Sequence, residues 1–199
     1  MITENSIIMQ QARESLKDKW GLAILTFLLF MLIAGGLQVI PIIGGLGSLV
    51  ISGPFAVGLA IFTLSISRNQ EAKLEQIFEG FNNFTTALAA YLLKMVFIFL
   101  WTLLLIIPGI IAAYSYSMTF YILAEDNSLD AMEAIDKSKA MMNGYKLKYF
   151  RLQLRLLGLA LLCILTLGIG FLWLIPYSAV CNAKFYEDIK ANAASVEVL

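Results

Sequence analysis

Charged residues are missing from three long stretches of the chain, Gly21–Ser67, Met95–Ala124 and Leu156–Ala183, and are concentrated in the segments between them. A membrane-spanning helix needs about 20 apolar residues, because it rises ~1.5 Å per residue across ~30 Å of hydrocarbon. The first stretch is long enough for two spans and a turn. Its middle, Ile40-Pro41-Ile42-Ile43-Gly44-Gly45, supplies the break, since proline removes a helix donor and glycine favours turns. Ile107-Pro108-Gly109 and Leu167-Gly168-Ile169-Gly170 break the other two stretches. Unbroken, each of these would form a helix about 42–45 Å long, more than the hydrocarbon core needs. Hairpins with tight, uncharged turns fit better. The third and fifth arms lengthen when Thr86–Leu93 and Tyr149–Arg155 are added, with Lys94, Arg151 and Arg155 snorkelling towards head groups. The fourth and sixth arms, Ile110–Ala124 and Phe171–Phe185, stay short for a full span.

The pattern predicts six helical segments, roughly Trp20–Val39, Gly45–Ser67, Phe84–Ile107, Gly109–Ala124, Tyr149–Leu167 and Phe171–Tyr186. Three shorter segments between or before them are amphipathic. Ile8, Met9, Ala12 and Leu16 share one helical face, as do Leu74, Ile77, Phe78 and Phe81, and then Ala131, Ile135 and Met142. Ser128 is the expected N-cap of the last, and Glu133 and Lys137 stand in the right order for an i, i+4 pair. Such segments suit either the inner membrane interface or packing beneath a bundle. The expected fold class is an all-α membrane protein, with about six short transmembrane helices in three hairpins, each preceded by an interfacial amphipathic helix. Residues 1–199 form one integral membrane domain, built of approximate repeats over 3–67, 70–124 and 128–190. Each repeat has a glycine-aromatic or aromatic-glycine junction before its hairpin: Trp20-Gly21, Gly80-Phe81 and Gly144-Tyr145.

Composition agrees with lipid as solvent. The 199 residues are 60% hydrophobic and only 14% charged, with mean hydropathy +0.81, whereas a soluble domain carries about 25% charged residues. Fourteen basic and fourteen acidic residues cancel, which gives no reason to expect nucleic-acid binding. With six segments, both termini, both long loops and the ionisable side chains fall on one side, Lys94 lying deepest. Positive residues beside short loops are retained in the cytoplasm, so that side is expected to be cytoplasmic. The mixed charges of the first twenty residues do not read as a secretory leader.

Candidate chemistry is sparse. Histidine is absent, and there is no glycine-rich phosphate loop or cysteine pair at ligand spacing, so neither a catalytic group nor a cofactor nor a metal is expected. Cys163 and Cys181 lie within apolar runs as small packing residues, with a disulfide between them the alternative. Glu125-Asp126 reads as a solvated helix end, with cation binding the alternative. Gly44, Ser48, Ser52, Ala56 and Ala60 recur at every fourth position and form a ridge for close helix packing, a pore lining being the alternative, with Pro54 expected to kink it. A polar-aromatic set, Tyr114, Ser115, Tyr116, Ser117 and Tyr121 in the fourth segment with Tyr177, Ser178, Asn182 and Tyr186 in the sixth, can serve interhelical hydrogen bonds or line a polar cavity. Lys94, Lys146, Lys148, Arg151 and Arg155 are candidates for lipid head-group contact, a substrate role for Lys94 and Arg155 being the alternative.

Several motifs together resemble the bacterial integral membrane family called domain of unknown function 975. They are Gly53-Pro54-Phe55 with Gly58, Phe78-x-Gly80-Phe81, and Trp101-x-Leu103-Leu104-x-Ile106-Ile107-Pro108-Gly109-Ile110-Ile111. Tyr114-Ser115-Tyr116-Ser117-Met118, Ala134-Ile135-x-x-Ser138, Thr166-Leu167-Gly168-Ile169-Gly170, Leu172-Trp173, Pro176-Tyr177 and Ala183-x-Phe185-Tyr186 complete the set. Arg155 departs from the pattern, where a small polar residue is expected. The resemblance implies a multi-pass bacterial membrane protein and supplies no activity. The expectation is a non-enzymatic helical bundle in the bacterial cytoplasmic membrane, engaging membrane lipids and other membrane proteins or a second copy of itself. A transporter or flippase for a small or lipid-like molecule is the alternative.

Overall fold

The computed structural model describes residues 3–38 and 43–197, and every regular element among them is a helix. In chain order these are α1 (Asn5–Ser15), α2 (Trp20–Gln38), α3 (Ile43–Ser67), α4 (Gln76–Glu79), α5 (Phe84–Leu104), α6 (Ile106–Ser115), α7 (Thr119–Glu125), α8 (Ala131–Met141), α9 (Lys146–Leu165) and α10 (Phe171–Glu197), with a 3-10 turn at Gly80–Asn83. The first expected break, Ile40-Pro41-Ile42, lies outside the described residues.

Three segments are long and apolar enough to cross a membrane: Gly47–Ser67, Gln76–Leu104 and Ile106–Glu125. Asn5–Ser15 and Trp20–Gly36 reach that standard only as a pair, and they are bent by 95° at the junction. Helices α9 and α10 do not reach it. Each has a charged half, with Lys146, Lys148, Arg151 and Arg155 in α9 and Lys184, Glu187 and Asp188 in α10. The fold is thus all-helical, with fewer self-sufficient spans than the six expected segments.

Three local differences have clear causes. The fourth expected segment is not one helix: α6 ends at Ser115 and α7 begins at Thr119. Hydroxyls there bond backwards, Ser115 Oγ donating to Ile111 O at 2.8 Å, Ser117 Oγ to Tyr114 O at 2.8 Å and Thr119 Oγ1 to Tyr116 O at 3.0 Å, and they compete with the helical ladder. The second hairpin breaks at Leu105, which is extended, rather than at Ile107-Pro108. Pro108 is then in the first turn of α6, where a missing N–H costs nothing. Finally, α8 is capped by Asp130 rather than Ser128. The Asp130 carboxylate accepts the Glu133 N–H at 2.8 Å and Glu133 accepts the Asp130 N–H at 3.0 Å, a capping box that also turns Glu133 away from Lys137. Ser128 instead donates to Asp126, through its Oγ at 2.5 Å and its N–H at 3.1 Å, and this holds the Asp126 carboxyl below the usual range.

Helix α3 is the centre of the bundle and touches α1, α2, α4, α5, α7 and α10. Phe62 through Ser67 are all buried, as expected of a helix enclosed on every side. Its closest backbone approaches are at glycines. A methyl group on Gly53 would overlap the Ala87 carbonyl, one on Gly58 the Ile77 carbonyl, and one on Gly80 the Pro54 carbonyl. Between these contacts Phe55, 3% exposed, takes edge-on contacts from Phe30, Phe78 and Phe81 with centroids 5.5, 5.8 and 5.1 Å away. The two glycine-phenylalanine motifs, 53–58 and 78–81, are therefore two sides of one joint.

The amphipathic helices turn their apolar faces inwards. Ile8, Ala12 and Leu16 are fully buried, with α1 lying on α10, and Ala134, Ile135 and Met142 are buried where α8 meets α5 and α7. By contrast the far ends of the long helices are apolar and uncovered. Leu103, Leu104, Leu105, Ile106 and Ile107 at the α5–α6 junction, and Leu165 and Leu167 at the α9–α10 turn, are all more than 60% exposed. Soluble monomers rarely expose contiguous apolar surface on this scale.

Candidate functional site

The opposite, charged ends of the helices meet at one stretch of α10. Lys184 donates to the Ser67 carbonyl, Glu187 accepts from Arg68 at 2.6 Å, Asp188 accepts from Lys148 at 2.5 Å, and Lys190 donates to Glu125 at 2.5 Å. The Thr3 N–H also donates to Asp188, at 3.2 Å. Helical spacing explains the pattern: 184, 187 and 188 share one face of the helix and 190 stands beside it, so less than two turns of α10 tie down the ends of α3 and α7 and the start of α9.

Glu125 is the busiest acceptor. One carboxylate oxygen meets Arg68, and the other accepts Tyr186 OH at 2.5 Å and Lys190 Nζ at 2.5 Å. Its side chain is only 15% exposed, so the expected solvated helix end is instead a clamped carboxylate. Burial opposes the charge on Arg68, but its hydrogen bonds to Glu187 and Glu125 outweigh that and raise its pKa. A cavity of about 220 Å³ opens beside Glu125, lined by Glu79, Asn82, Asn83, Thr86 and Asn127.

Beneath this ionic end is a second polar layer. Ser138 of α8, fully buried, donates to the Ser115 carbonyl at 2.8 Å and accepts the Met118 N–H at 3.1 Å. It satisfies both sides of the break between α6 and α7. Ser117, inside that break, and Tyr121, just after it, line a cavity of about 180 Å³ together with Thr63, Ala56 and Ala60 of α3. Two features read separately from the sequence, the small-residue ridge and the polar-aromatic band, thus face each other across one void.

The rest of the band is dispersed. Tyr121 stacks on Tyr186 at 5.5 Å and directs its OH to the Ala179 carbonyl at 3.4 Å. Tyr116 packs against Phe97 at 6.0 Å. Tyr114 meets Tyr149 edge-on at 5.6 Å and lines a different groove, with Ser178 and Gln153. Ser178 bonds within its own helix, to Ile175 O at 2.8 Å, while Tyr177 OH donates to Met9 O at 3.0 Å and fastens α1. Asn182 accepts from Gln153 at 2.8 Å, joining α9 to α10. On the ridge, Ser52 bonds back to Ser48 O at 2.6 Å and Ser48 to Gly45 O at 2.9 Å. The surroundings of Gly44 lie outside the described residues.

The five candidate head-group cations separate into three kinds. Lys148 is consumed by Asp188 and also lies over the Phe185 ring at 5.3 Å. Lys146 is half-buried, and Arg151 and Arg155 are exposed on α9; among the described residues none of the three pairs with a carboxylate. Lys94, deep on α5, is half-buried with its ammonium 4.8 Å from the centre of the Phe120 ring. Cys163 and Cys181 are free thiols, and Cys163 packs against Gly170.

Sequence reading missed Arg68, Lys184, Glu187, Asp188 and Lys190, since loop and tail charges ordinarily face water. Ser138 has no local signal beyond its place in the Ala134-Ile135-x-x-Ser138 motif. The one available signal was Tyr186 and Glu125, each a polar residue ending an apolar helical face.

No curated protein and no solved structure matches the chain. The family described as protein of unknown function (DUF975) matches residues 1–110 and 102–193, which includes every motif quoted for the resemblance. This chain belongs to that family.

Proposed function

We propose that the chain is a multi-pass protein of the bacterial cytoplasmic membrane that performs no chemistry of its own and acts as a helical bundle engaging lipids and partner membrane proteins. The carrying observation is the division of its surface: one end is tied by the Arg68–Glu125–Glu187–Lys190 and Lys148–Asp188 pairs, and the other is an uncharged apolar collar around Leu105 and Leu167. In this reading α2 and α3, α5 with α6–α7, and α9 with α10 form three hairpins whose ionic end is cytoplasmic. Two details favour a repeated unit. Asp18 and Gly144 both adopt positive φ two residues before a hairpin begins, and Gly109 and Gly170 each fit against the side chain seven residues earlier, Thr102 and Cys163.

Cysteine labelling tests the arrangement. In a background lacking Cys163 and Cys181, cysteines at Gly45, Ile107 and Leu167 should all react with an impermeant reagent added outside; all three positions are exposed. Reaction at Gly45 alone would leave two crossing helices and make the later hairpins re-entrant.

A transporter or flippase is the second reading, favoured by the cavity between Ser117, Tyr121, Thr63 and α3 and by the helix break beside it. Transporters use broken helices at their binding sites. Flux of a lipid-like reporter in proteoliposomes that falls in Ser117→Ala and Tyr121→Phe would support it, and unchanged flux would remove this cavity as the route.

A further inference from the structure

We infer that Lys94 and the groove beside it hold the phosphate and one acyl chain of an anionic phospholipid, a site that deepens the lipid-engaging reading above and rests on it. Lys94 is the deepest cation of the chain, and among the described residues it has no carboxylate partner. Its contact on the protein side is the face of Phe120, on which Tyr91 also stacks at 6.4 Å. An ammonium held in apolar surroundings without a counter-ion is costly, and a ring face returns only part of what water or an anion provides. The anion has to come from the lipid side, because that is where the groove opens. Its volume is about 450 Å³, and below Lys94 it is walled by Met95, Ile98, Phe99 and Thr102, with Met95 52% and Phe99 65% exposed.

Depth and direction fit a lipid of the leaflet at the ionic end. Phe120 precedes Glu125 by five residues, so the ammonium over its ring lies about 8 Å below the charged layer. Side chains on a helix lean towards its N-terminus, which for α5 is the ionic end, so Lys94 reaches up to meet a descending phosphate. Tyr91, one turn nearer that end on the same face, adds a hydroxyl donor. From Lys94 to Thr102 the groove runs about 12 Å along α5, the length of roughly nine or ten methylenes of an extended chain. A bare phosphate would leave that apolar wall unused, and in a zwitterionic lipid the choline cation competes with the Lys94 ammonium for the phosphate.

Native mass spectrometry of the detergent-solubilised full chain tests this, titrated with phosphatidylglycerol or phosphatidylcholine of identical chains. The expected result is one retained phosphatidylglycerol, preferred at least about tenfold, the scale of one charge-assisted contact. Lys94→Gln should abolish the preference, Lys94→Arg should keep it, and Phe99→Ala should weaken retention of both lipids with the preference intact. Helicity and elution volume check that each variant is folded. Unchanged preference in Lys94→Gln overturns the site, as does full competition by glycerol phosphate, which has no chains. Dissociation of an oligomer in Lys94→Gln would also overturn it, since the counter-ion would then be a carboxylate of a second copy. Outside labelling of the same variants in sealed membranes reports the three-hairpin arrangement separately, so loss of the lipid site leaves that reading standing.

Discussion

Ser138 Oγ donates to the carbonyl oxygen of Ser115, 2.8 Å away, from a helix that begins only after the broken span has ended. Through the same oxygen it accepts the Met118 N–H at 3.1 Å. The break between α6 and α7 therefore has its own permanent partner, one hydroxyl serving both a freed acceptor and a freed donor. Both groups are buried, where an unpaired backbone group costs about 1–3 kcal/mol. Ser138→Ala is expected to lower the apparent Tm of the purified protein in detergent by several degrees, with loss of helical signal beginning near α6–α7. Ser138→Thr keeps the hydroxyl and should retain much of the stability. Equal losses in the two variants would mean that the hydroxyl is not what this position needs.

Glycines of the same chain should respond in opposite directions to an added methyl group. Gly58→Ala drives a Cβ into the backbone carbonyl of Ile77, and Gly80→Ala does the same at Pro54, where neither helix can yield by rotating a side chain. Overpacking of this kind costs about 1–3 kcal/mol. Gly158, in the middle of α9, has open space where its Cβ would be, so Gly158→Ala should stabilise the helix by about 0.5–1 kcal/mol. Thermal denaturation of the three variants side by side checks both signs. Tolerance of Gly58→Ala would show that α3 and α4 are not in backbone contact.

The contrast between these glycines also shows what a sequence can reveal. Charge-free length located α2 and α3 to within a few residues, because a long apolar helix has no other solvent than lipid or a bundle core, while α5 and α9 followed only when their stretches were extended across Lys94, Arg151 and Arg155. The αL turn before α9 was legible in Gly144. The α8 cap was legible too, in Asp130-x-x-Glu133, but Ser128 hid it by being an equally good cap residue two positions earlier. The break at Tyr116–Met118 has no proline or glycine to announce it. It arises from three hydroxyls that bond back to local carbonyls, and the backbone groups at the break are taken up by Ser138, 20 positions along the chain from Met118. The ionic end was illegible for a similar reason: Arg68 and Glu187 are 119 positions apart, and nothing local separates a clamped carboxylate from a solvated one.

At that end the members of the network should not be equally important. Glu125 receives three donors and is 15% exposed, while Lys190 is 48% exposed and satisfies itself in water. Glu125→Ala leaves Arg68, Tyr186 and Lys190 without their shared acceptor and is expected to cost about 1–3 kcal/mol. Lys190→Ala removes one solvent-exposed partner and should cost less than about 1 kcal/mol. A double-mutant cycle on Tyr186→Phe and Glu125→Ala isolates the most enclosed of the contacts. Additivity in that cycle would mean the phenol and the carboxylate do not bond in the folded protein.

Two neighbouring cations on α9 separate structure from lipid attraction. Lys148 is committed to Asp188, the two side chains being 16% and 9% exposed, and Asp188 also holds the Thr3 N–H. Removing Lys148 strands a nearly buried carboxylate, so Lys148→Ala is expected to destabilise the fold by about 3 kcal/mol or more and to loosen the N-terminal helix α1. Arg151, one turn further along, is exposed and without a carboxylate partner among the described residues. Arg151→Ala should therefore leave the apparent Tm unchanged while reducing overall attraction to anionic vesicles by roughly 1 kcal/mol, the contribution of one basic residue at such a surface. Measuring Tm and vesicle association on both variants gives a crossed pattern if the assignment is right. A fall in vesicle association without a change in Tm for Lys148→Ala would return that lysine to the lipid-facing group and break the clamp assigned to Asp188.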